Sequence, residues 1–144
     1  MMLYGALDAV MPRFRKIFKT FGLTEQQWRV LRVLWETDSI ALQALSDITL
    51  IPAPSLVGII DRLQTSDLVE RRRSESDRRV VYIRATKTGQ ILEKKVRPRI
   101  DRLYAEMQAS IDPDVWDHLM AGLDNIISTC GSETRKKRSG NQQP

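Results

Sequence analysis

The stretch from Ala41 to Ala85 decides the fold: ALQALSDITLIPAPSLVGIIDRLQTSDLVERRRSESDRRVVYIRA. Apolar residues recur every three positions at its start, which predicts a short helix, and a proline-rich turn follows at residues 50–55. Pro54 suits the first turn of a second helix, because the N–H that proline lacks would have no partner there. The buried face of this second helix is predicted to contain Leu56, Ile59, Ile60 and Leu63. A helix, a short turn and a second helix form the arrangement that places the second helix in a DNA major groove.

A two-stranded hairpin is predicted directly after the second helix. Residues 68–71 and 80–83 are rich in β-branched and aromatic side chains, and the loop between them, residues 72–79, is polar and arginine-rich. Such a hairpin beside a helix-turn-helix makes a winged helix, whose arginines can enter the DNA minor groove. Helix-turn-helix shapes also occur as plain packing units, and charged runs often only face solvent. From Glu70 to Arg84, however, six arginines stand against three acids, which favours DNA binding.

The segment before this stretch is predicted to form two helices. Residues 3–21 carry a near-heptad apolar stripe, and Pro12 predicts a kink or a break near Ala9. Thr24 and Gln27 form a capping box that opens the next helix, for which Trp28, Leu31, Leu34 and Trp35 are the predicted buried face. Ile40 is expected to pair with the hairpin as a short third strand.

The segment after the hairpin is predicted to form two more helices. Thr86 is a good N-cap for a long helix that ends near Ser110 and bends at Pro98. Asp112 is expected to cap a last helix that begins at Pro113. The first helix and these last two carry more apolar surface than a winged helix needs, which predicts a two-fold homodimer.

Composition indicates a folded protein that favours polyanionic partners and is neither secreted nor in a membrane. The chain has 144 residues, 42% of them hydrophobic, a net charge of +5 and a pI near 9.7, which favours polyanionic partners. One cysteine allows no internal disulfide, and no apolar run is long enough to cross a bilayer, so a cytoplasmic protein without membrane contact is expected. Residues 131–144 hold four basic residues and one acid and are predicted to form a disordered tail, which either aids solubility or contacts DNA non-specifically.

Catalytic and metal-binding patterns are absent from the sequence. The lone histidine and lone cysteine, His118 and Cys130, cannot supply the four ligands of a zinc site, and Cys130 is predicted to be an inert buried thiol. There is no glycine-rich phosphate loop and no nucleophile–histidine arrangement. The chain is therefore predicted to be no enzyme, with no catalytic residue, metal or cofactor.

Four short runs of the sequence carry a family resemblance: SLVGIIDRL at residues 55–63, DLVER at 67–71, DRR at 77–79 and ATKTG at 85–89. Together they resemble the MarR family of transcriptional regulators. The run LTEQQWRVLR at residues 23–32 is similar to the branch of the family that represses homoprotocatechuate degradation operons. The resemblance covers about residues 3–130. Val57, where the family often has threonine, and Ala85, where leucine is usual, depart from the pattern.

The resemblance implies a mainly α fold with a small β-hairpin: one domain at 1–130, with a winged helix-turn-helix at about 24–85 and dimerisation helices at about 3–21 and 86–130. It implies a homodimer that binds double-stranded DNA at a palindromic operator. The Asp-x-Arg wing signature of the family falls on Asp77 and Arg79, and Arg79 is expected to enter the minor groove. Asp77 is expected to hold the arginines of the wing by ion pairing. The predicted DNA-contacting residues are Pro54, Ser55, Leu56, Gly58, Arg62, Arg73, Arg78 and Arg79.

A small aromatic carboxylate is the effector that this branch implies. Flat apolar walls and an arginine suit such a ligand, and these residue types meet in Phe14, Arg15, Trp28 and Arg29. The alternative is that the rings are ordinary core and the arginines are solvated. The sequence thus predicts a ligand-released repressor, with a non-specific architectural DNA protein and a winged-helix protein-interaction module as alternatives.

Overall fold

The computed structural model describes the backbone of residues 1–74, 76–77 and 79–140, and the side chains of these residues as far as Thr129. The chain forms two compact units, Met1–Asp101 and Arg102–Pro144, with the boundary inside a helix. In chain order the elements are α1 (Met2–Thr20), α2 (Glu25–Trp35), β1 (Ile40–Ala41), α3 (Leu42–Thr49), α4 (Ala53–Thr65), β2 (Val69–Arg73), β3 (Val81–Ala85), α5 (Lys87–Ala109) and α6 (Pro113–Gly140).

The first unit has its core where α2, α3 and α4 meet a three-stranded antiparallel sheet of order β1-β3-β2. The predicted third strand is confirmed, because Ile40 pairs with Ile83. Both hairpin strands extend further than predicted, so Arg72 and Arg73 belong to β2 rather than to the loop. The side chains that this core excludes from solvent include Val30, Leu31, Leu45, Leu56, Ile60, Leu63 and Ile83.

The predicted helix caps are confirmed at three helix starts. The Thr24 hydroxyl accepts from the Gln27 N–H, while the Gln27 side chain accepts from the Thr24 N–H, which completes a capping box. The Thr86 hydroxyl accepts from the Gly89 N–H at 3.0 Å. The Asp112 carboxylate accepts from two N–H groups in the first turn of α6. Each cap satisfies donors that a helix start would otherwise leave without partners.

Two prolines lie inside helices without breaking them. α1 is continuous through Pro12, so the predicted alternative of a break in this helix near Ala9 is wrong, and α5 is continuous through Pro98. Both prolines lie on the solvent side of their helices, so the carbonyl that loses its helical partner can bond to water instead.

The last helix is longer than the sequence predicts. Its backbone continues to Gly140, whereas the sequence predicts disorder from residue 131; residues 141–144 lie outside the described part of the chain. The predicted disorder rests on the lack of apolar residues in this segment. A segment without apolar residues cannot pack against the core, but it can still have a high helix propensity. The segment contains lysine, arginine and glutamate, which are good helix formers, and no proline before its last residue. The predicted burial of the Cys130 thiol also lies outside the described residues.

Candidate nucleic-acid interface

The helix pair α3 and α4 has the geometry of a helix-turn-helix. The axes of the two helices differ in direction by 106°, within the range of about 90–120° that is usual for this motif. Leu50 ends α3 in the left-handed conformation, with φ of 55°, and the chain then turns into α4 through Ile51 and Pro52. The turn predicted from the prolines is therefore present.

Side-chain hydrogen bonds hold this turn. The buried Ser46 hydroxyl donates to the Ile51 carbonyl at 2.6 Å, and the Thr49 hydroxyl donates to the Leu45 carbonyl at 2.6 Å. Arg29 of α2 donates through Nη2 to the Thr49 carbonyl, at the C-terminal end of α3. A cation at this end also interacts favourably with the helix dipole, so Arg29 fastens α2 to the turn that precedes α4.

The solvent-facing side of α4 carries four of the eight residues predicted to contact DNA. Pro54, Ser55 and Arg62 are exposed on this side, Val57 is 40% exposed, and Gly58, one turn after Pro54, is partly exposed. We call α4 the recognition helix from here on. Its opposite side is apolar and fully buried in the first unit. A helix with one packed and one open side is what groove insertion requires.

Leu56 does not belong to this surface. The sequence predicts it among the DNA-contacting residues, but its side chain is 0% exposed and belongs to the core. Adjacent residues on a helix point about 100° apart, so Leu56 lies inward although both Ser55 and Val57 lie outward. Leu56 therefore supports the recognition helix and does not face DNA.

The wing formed by β2, β3 and their loop presents arginines to solvent. Arg73 and Arg79 are both exposed, while Arg78 lies outside the described residues. The Asp77 carboxylate accepts from the backbone N–H of Arg79 at 2.9 Å, and the Asp77 N–H donates to the Ser74 hydroxyl at 3.2 Å. Asp77 therefore shapes the loop through backbone hydrogen bonds, a structural role like the predicted one but made with a different group of Arg79.

Arg71 joins the wing to the recognition helix, which the sequence analysis did not anticipate. Its Nη1 lies 2.6 Å from the Asp61 carboxylate, and its Nη2 donates to the Val57 carbonyl at 3.2 Å. Asp61 and Val57 are four residues apart and share one side of the recognition helix. Arg71 belongs to the DLVER motif, but the periodicity of a strand does not show which residue of a neighbouring helix an arginine on that strand will contact.

The base of the wing is fastened to the start of α5. Thr86 donates to the Asp67 carbonyl at 2.5 Å, and Thr88 donates to the Asp67 carboxylate at 2.7 Å. Glu70 and Arg84, which are opposite each other in the strand pair, form an ion pair. These polar side chains line an open cleft of about 980 Å³ beside the wing, together with Trp35.

The two rings of the predicted effector site pack together, whereas its two arginines have separate partners. Phe14 and Trp28 both pack on Phe18, with ring centroids 6.4 Å and 5.1 Å from it, so they belong to one aromatic row. Arg15 pairs with Glu25 at 2.9 Å on the surface, whereas Arg29 is turned to the Thr49 carbonyl. Phe18, which the sequence analysis missed, is 2% exposed and joins the two predicted rings.

Neither a membrane-spanning helix nor a metal-binding cluster is found among the described residues. In that part of the chain no single helix is long and apolar enough to cross a membrane; α3 and α4 pass such a test only as a pair, bent by 106°. Among the same residues, no group of three or more histidine, cysteine or acidic side chains is placed to hold a metal ion.

A winged helix-turn-helix defines a class of DNA-associated proteins, and comparison with known proteins places the chain within it. Residues 23–81 match the MarR family. The homoprotocatechuate degradative operon repressor of Escherichia coli is 36% identical over 126 residues, which are 88% of this chain and 85% of the repressor. The HTH-type transcriptional regulator FarR of Neisseria gonorrhoeae is 36% identical over 102 residues, 71% of this chain and 70% of FarR.

Solved structures agree with this assignment. The crystal structure of NadR in complex with 4-hydroxyphenylacetate superposes with a TM-score of 0.77 at 30% identity, covering 88% of this chain and 90% of NadR. The chain belongs to the MarR family and is a transcriptional regulator. The relatives are regulators rather than enzymes.

Proposed function

We propose that this regulator is a dimeric repressor that binds a palindromic operator and is released by a small aromatic carboxylate. The observation that carries the proposal is the open side of the recognition helix beside an arginine-bearing wing, within one compact unit. The similar Escherichia coli protein is a repressor by name, which supports this direction of regulation. The proposal includes a cytoplasmic location, where an operator is accessible.

The DNA contacts are assigned to the two exposed elements. Pro54, Ser55, Gly58 and Arg62 face the major groove from the recognition helix, and Arg73, Arg78 and Arg79 act from the wing. Val57 has no hydroxyl, so at its position it offers the DNA only apolar contact, such as with a thymine methyl group. In vitro selection from a pool of random duplexes tests the assignment. An inverted repeat with half-sites about one helical turn apart is expected, and a pool that never converges would contradict it.

The dimer is assigned to α1, α5 and α6, and both α1 and α6 leave an apolar side exposed. On α1, Leu3 and Leu7 are 55% and 54% exposed. On α6, the exposed apolar side chains include Val115, Leu119, Ile126 and Ile127. Exposed apolar stripes of this kind mark surfaces that another protein chain covers. A second copy brings two recognition helices together, which matches a palindromic site.

The effector site is assigned to Phe14, Arg15, Trp28 and Arg29, with Arg15 as the carboxylate partner. Arg15 and Glu25 have side chains that are 59% and 35% exposed, and an exposed pair of this kind contributes little stability, so a ligand can replace Glu25 at low cost. Taking Arg29 instead would leave the Thr49 carbonyl and the end of α3 without their partner. NadR, whose structure contains bound 4-hydroxyphenylacetate, supports the ligand class.

The effector assignment predicts that Arg15→Ala abolishes the response to ligand and leaves DNA binding intact. In the wild type, 4-hydroxyphenylacetate should raise the melting temperature and lower affinity for the selected duplex roughly 5- to 150-fold. The alcohol analogue, with no carboxylate, should do neither, because it gives arginine no anionic partner. Lys16→Ala removes a neighbouring exposed cation and should respond like the wild type. An unchanged response in both Arg15→Ala and Arg29→Ala would place the ligand elsewhere.

A further inference from the structure

Arg71 is placed where the two DNA-facing elements meet. It lies on β2 two residues before the strand ends at Arg73, and its side chain is 30% exposed. Its two contacts on the recognition helix, the Val57 carbonyl and the Asp61 carboxylate, are one helical turn apart. Two contacts at different heights along a helix limit both its translation and its rotation against the strand.

Asp61 carries a negative charge that this contact offsets. Its side chain is 55% exposed on the same side of the recognition helix as Pro54 and Val57. A bare carboxylate on that side would be repelled by DNA phosphates. Arg71 offsets the charge, and it does so with a guanidinium already committed to protein groups.

We propose that Arg71 is a positioning residue for operator recognition. By holding Asp61 and the Val57 carbonyl, it fixes the recognition helix relative to the wing, so that each enters its own groove in the same complex. This inference rests on the proposed DNA-binding function. It differs from a phosphate-contacting role, in which Arg71 would leave Asp61 and bind the DNA backbone.

The two roles predict different effects of Asp61→Ala on DNA affinity and on the ratio of affinities for the two duplexes. If Arg71 positions the helix, Asp61→Ala lowers the ratio of affinity for the selected duplex over a scrambled duplex, because the helix loses its fixed angle. If Arg71 contacts phosphate, Asp61→Ala removes a repulsive charge, frees the arginine and raises affinity for both duplexes. Since phosphate contacts carry no sequence information, the ratio would then stay the same.

The experiment is a double-mutant cycle with full-length protein, measured by fluorescence anisotropy on both duplexes at several salt concentrations. Arg71→Ala and Asp61→Ala should each lower the affinity ratio by about tenfold, and the double variant should lower it no further. The salt dependence of binding should keep the wild-type slope, and the melting temperature should change little, since exposed ion pairs contribute little stability. Arg71→Lys keeps the charge but loses the forked donor geometry, so it should fall between Arg71→Ala and the wild type.

Arg72→Ala is the matched control. Arg72 is the next residue on the strand, 64% exposed, with its Nε 3.8 Å from Glu70 rather than on the recognition helix. Its loss should weaken binding to both duplexes alike and preserve the ratio of the two affinities.

A wild-type affinity ratio in Arg71→Ala, additive losses in the double variant, or a salt slope reduced by about one would overturn the positioning role. If Arg71→Ala does not fold, a wild-type ratio in Arg71→Lys and in Asp61→Ala would overturn it equally. No preference in the wild type would instead defeat the proposed function, and the positioning role with it.

Discussion

Gly89 leaves no room for a side chain where α5 passes the base of the wing. A Cβ at this position would lie 2.2 Å from the Leu68 carbonyl oxygen, a backbone atom that cannot move without shifting β2. The Gly89 carbonyl also accepts from the Trp35 indole at 3.0 Å, so the approach is fixed from both sides. A single hydrogen atom in place of a methyl group therefore sets the spacing between the wing and α5.

The residue-scale prediction is that Gly89→Ala lowers the free energy of unfolding by about 1–3 kcal/mol, the usual cost of overpacking. Urea unfolding followed by circular dichroism measures it. Gly58→Ala is the control, because a Cβ there meets only Arg62 Nη1 at 3.9 Å and alanine has the higher helix propensity. Equal stability of the two variants would show that the contact with Leu68 is not restrictive.

The helices and strands could be predicted from local sequence signals. The contacts between residues that are distant in the sequence could not. The Thr24 capping box and the Asp112 cap depend on residues within one turn, so the sequence contains all the information that they need. The contact of Arg71 with Asp61, and that of Arg29 with Thr49, depend on how a strand and a helix come together. Sequence patterns do not show these contacts, so they predict no role for Arg71 and only a ligand-binding role for Arg29.

At the scale of the wing, Arg79→Ala is predicted to weaken binding to the selected duplex by roughly 1–3 kcal/mol and to reduce the salt slope by about one. The reason is that an exposed arginine at the tip of the hairpin can enter a minor groove without first giving up a buried contact. Its role there stays a prediction. Binding titrations over a range of salt concentrations, with Arg72→Ala beside it, measure the change. Equal losses of affinity in Arg79→Ala and Arg72→Ala would contradict the assignment of Arg79 to the minor groove.

At the scale of the whole molecule, the proposed dimer explains why α6 leaves so much apolar surface open. Ile127 is 70% exposed, so it contributes little to the fold of one protomer. Ile127→Glu should therefore leave the helical content unchanged while it places a charge in the proposed interface, where burial without a partner is costly. A second copy, and not the single chain, would then complete the burial of this helix.

Sedimentation equilibrium measures this effect directly. The wild type should be a dimer at micromolar concentration, and Ile127→Glu should shift it to monomer and weaken binding to the selected duplex. Asn125→Glu makes the same change of charge on the other side of α6, away from the apolar stripe, and should stay dimeric. A wild type that sediments as a folded monomer at tens of micromolar would contradict the dimer.

Operator recognition itself is tested most directly by the affinity of the wild-type protein for its selected duplex and for a scrambled duplex of the same composition, as a function of salt. For a repressor, we expect the affinity for the selected duplex to exceed that for the scrambled duplex by at least about 10³-fold. We also expect the logarithm of affinity to fall steeply and linearly with the logarithm of salt concentration. Equal affinity for both duplexes would indicate an architectural DNA protein. Absence of salt-dependent binding to either duplex would contradict DNA recognition altogether.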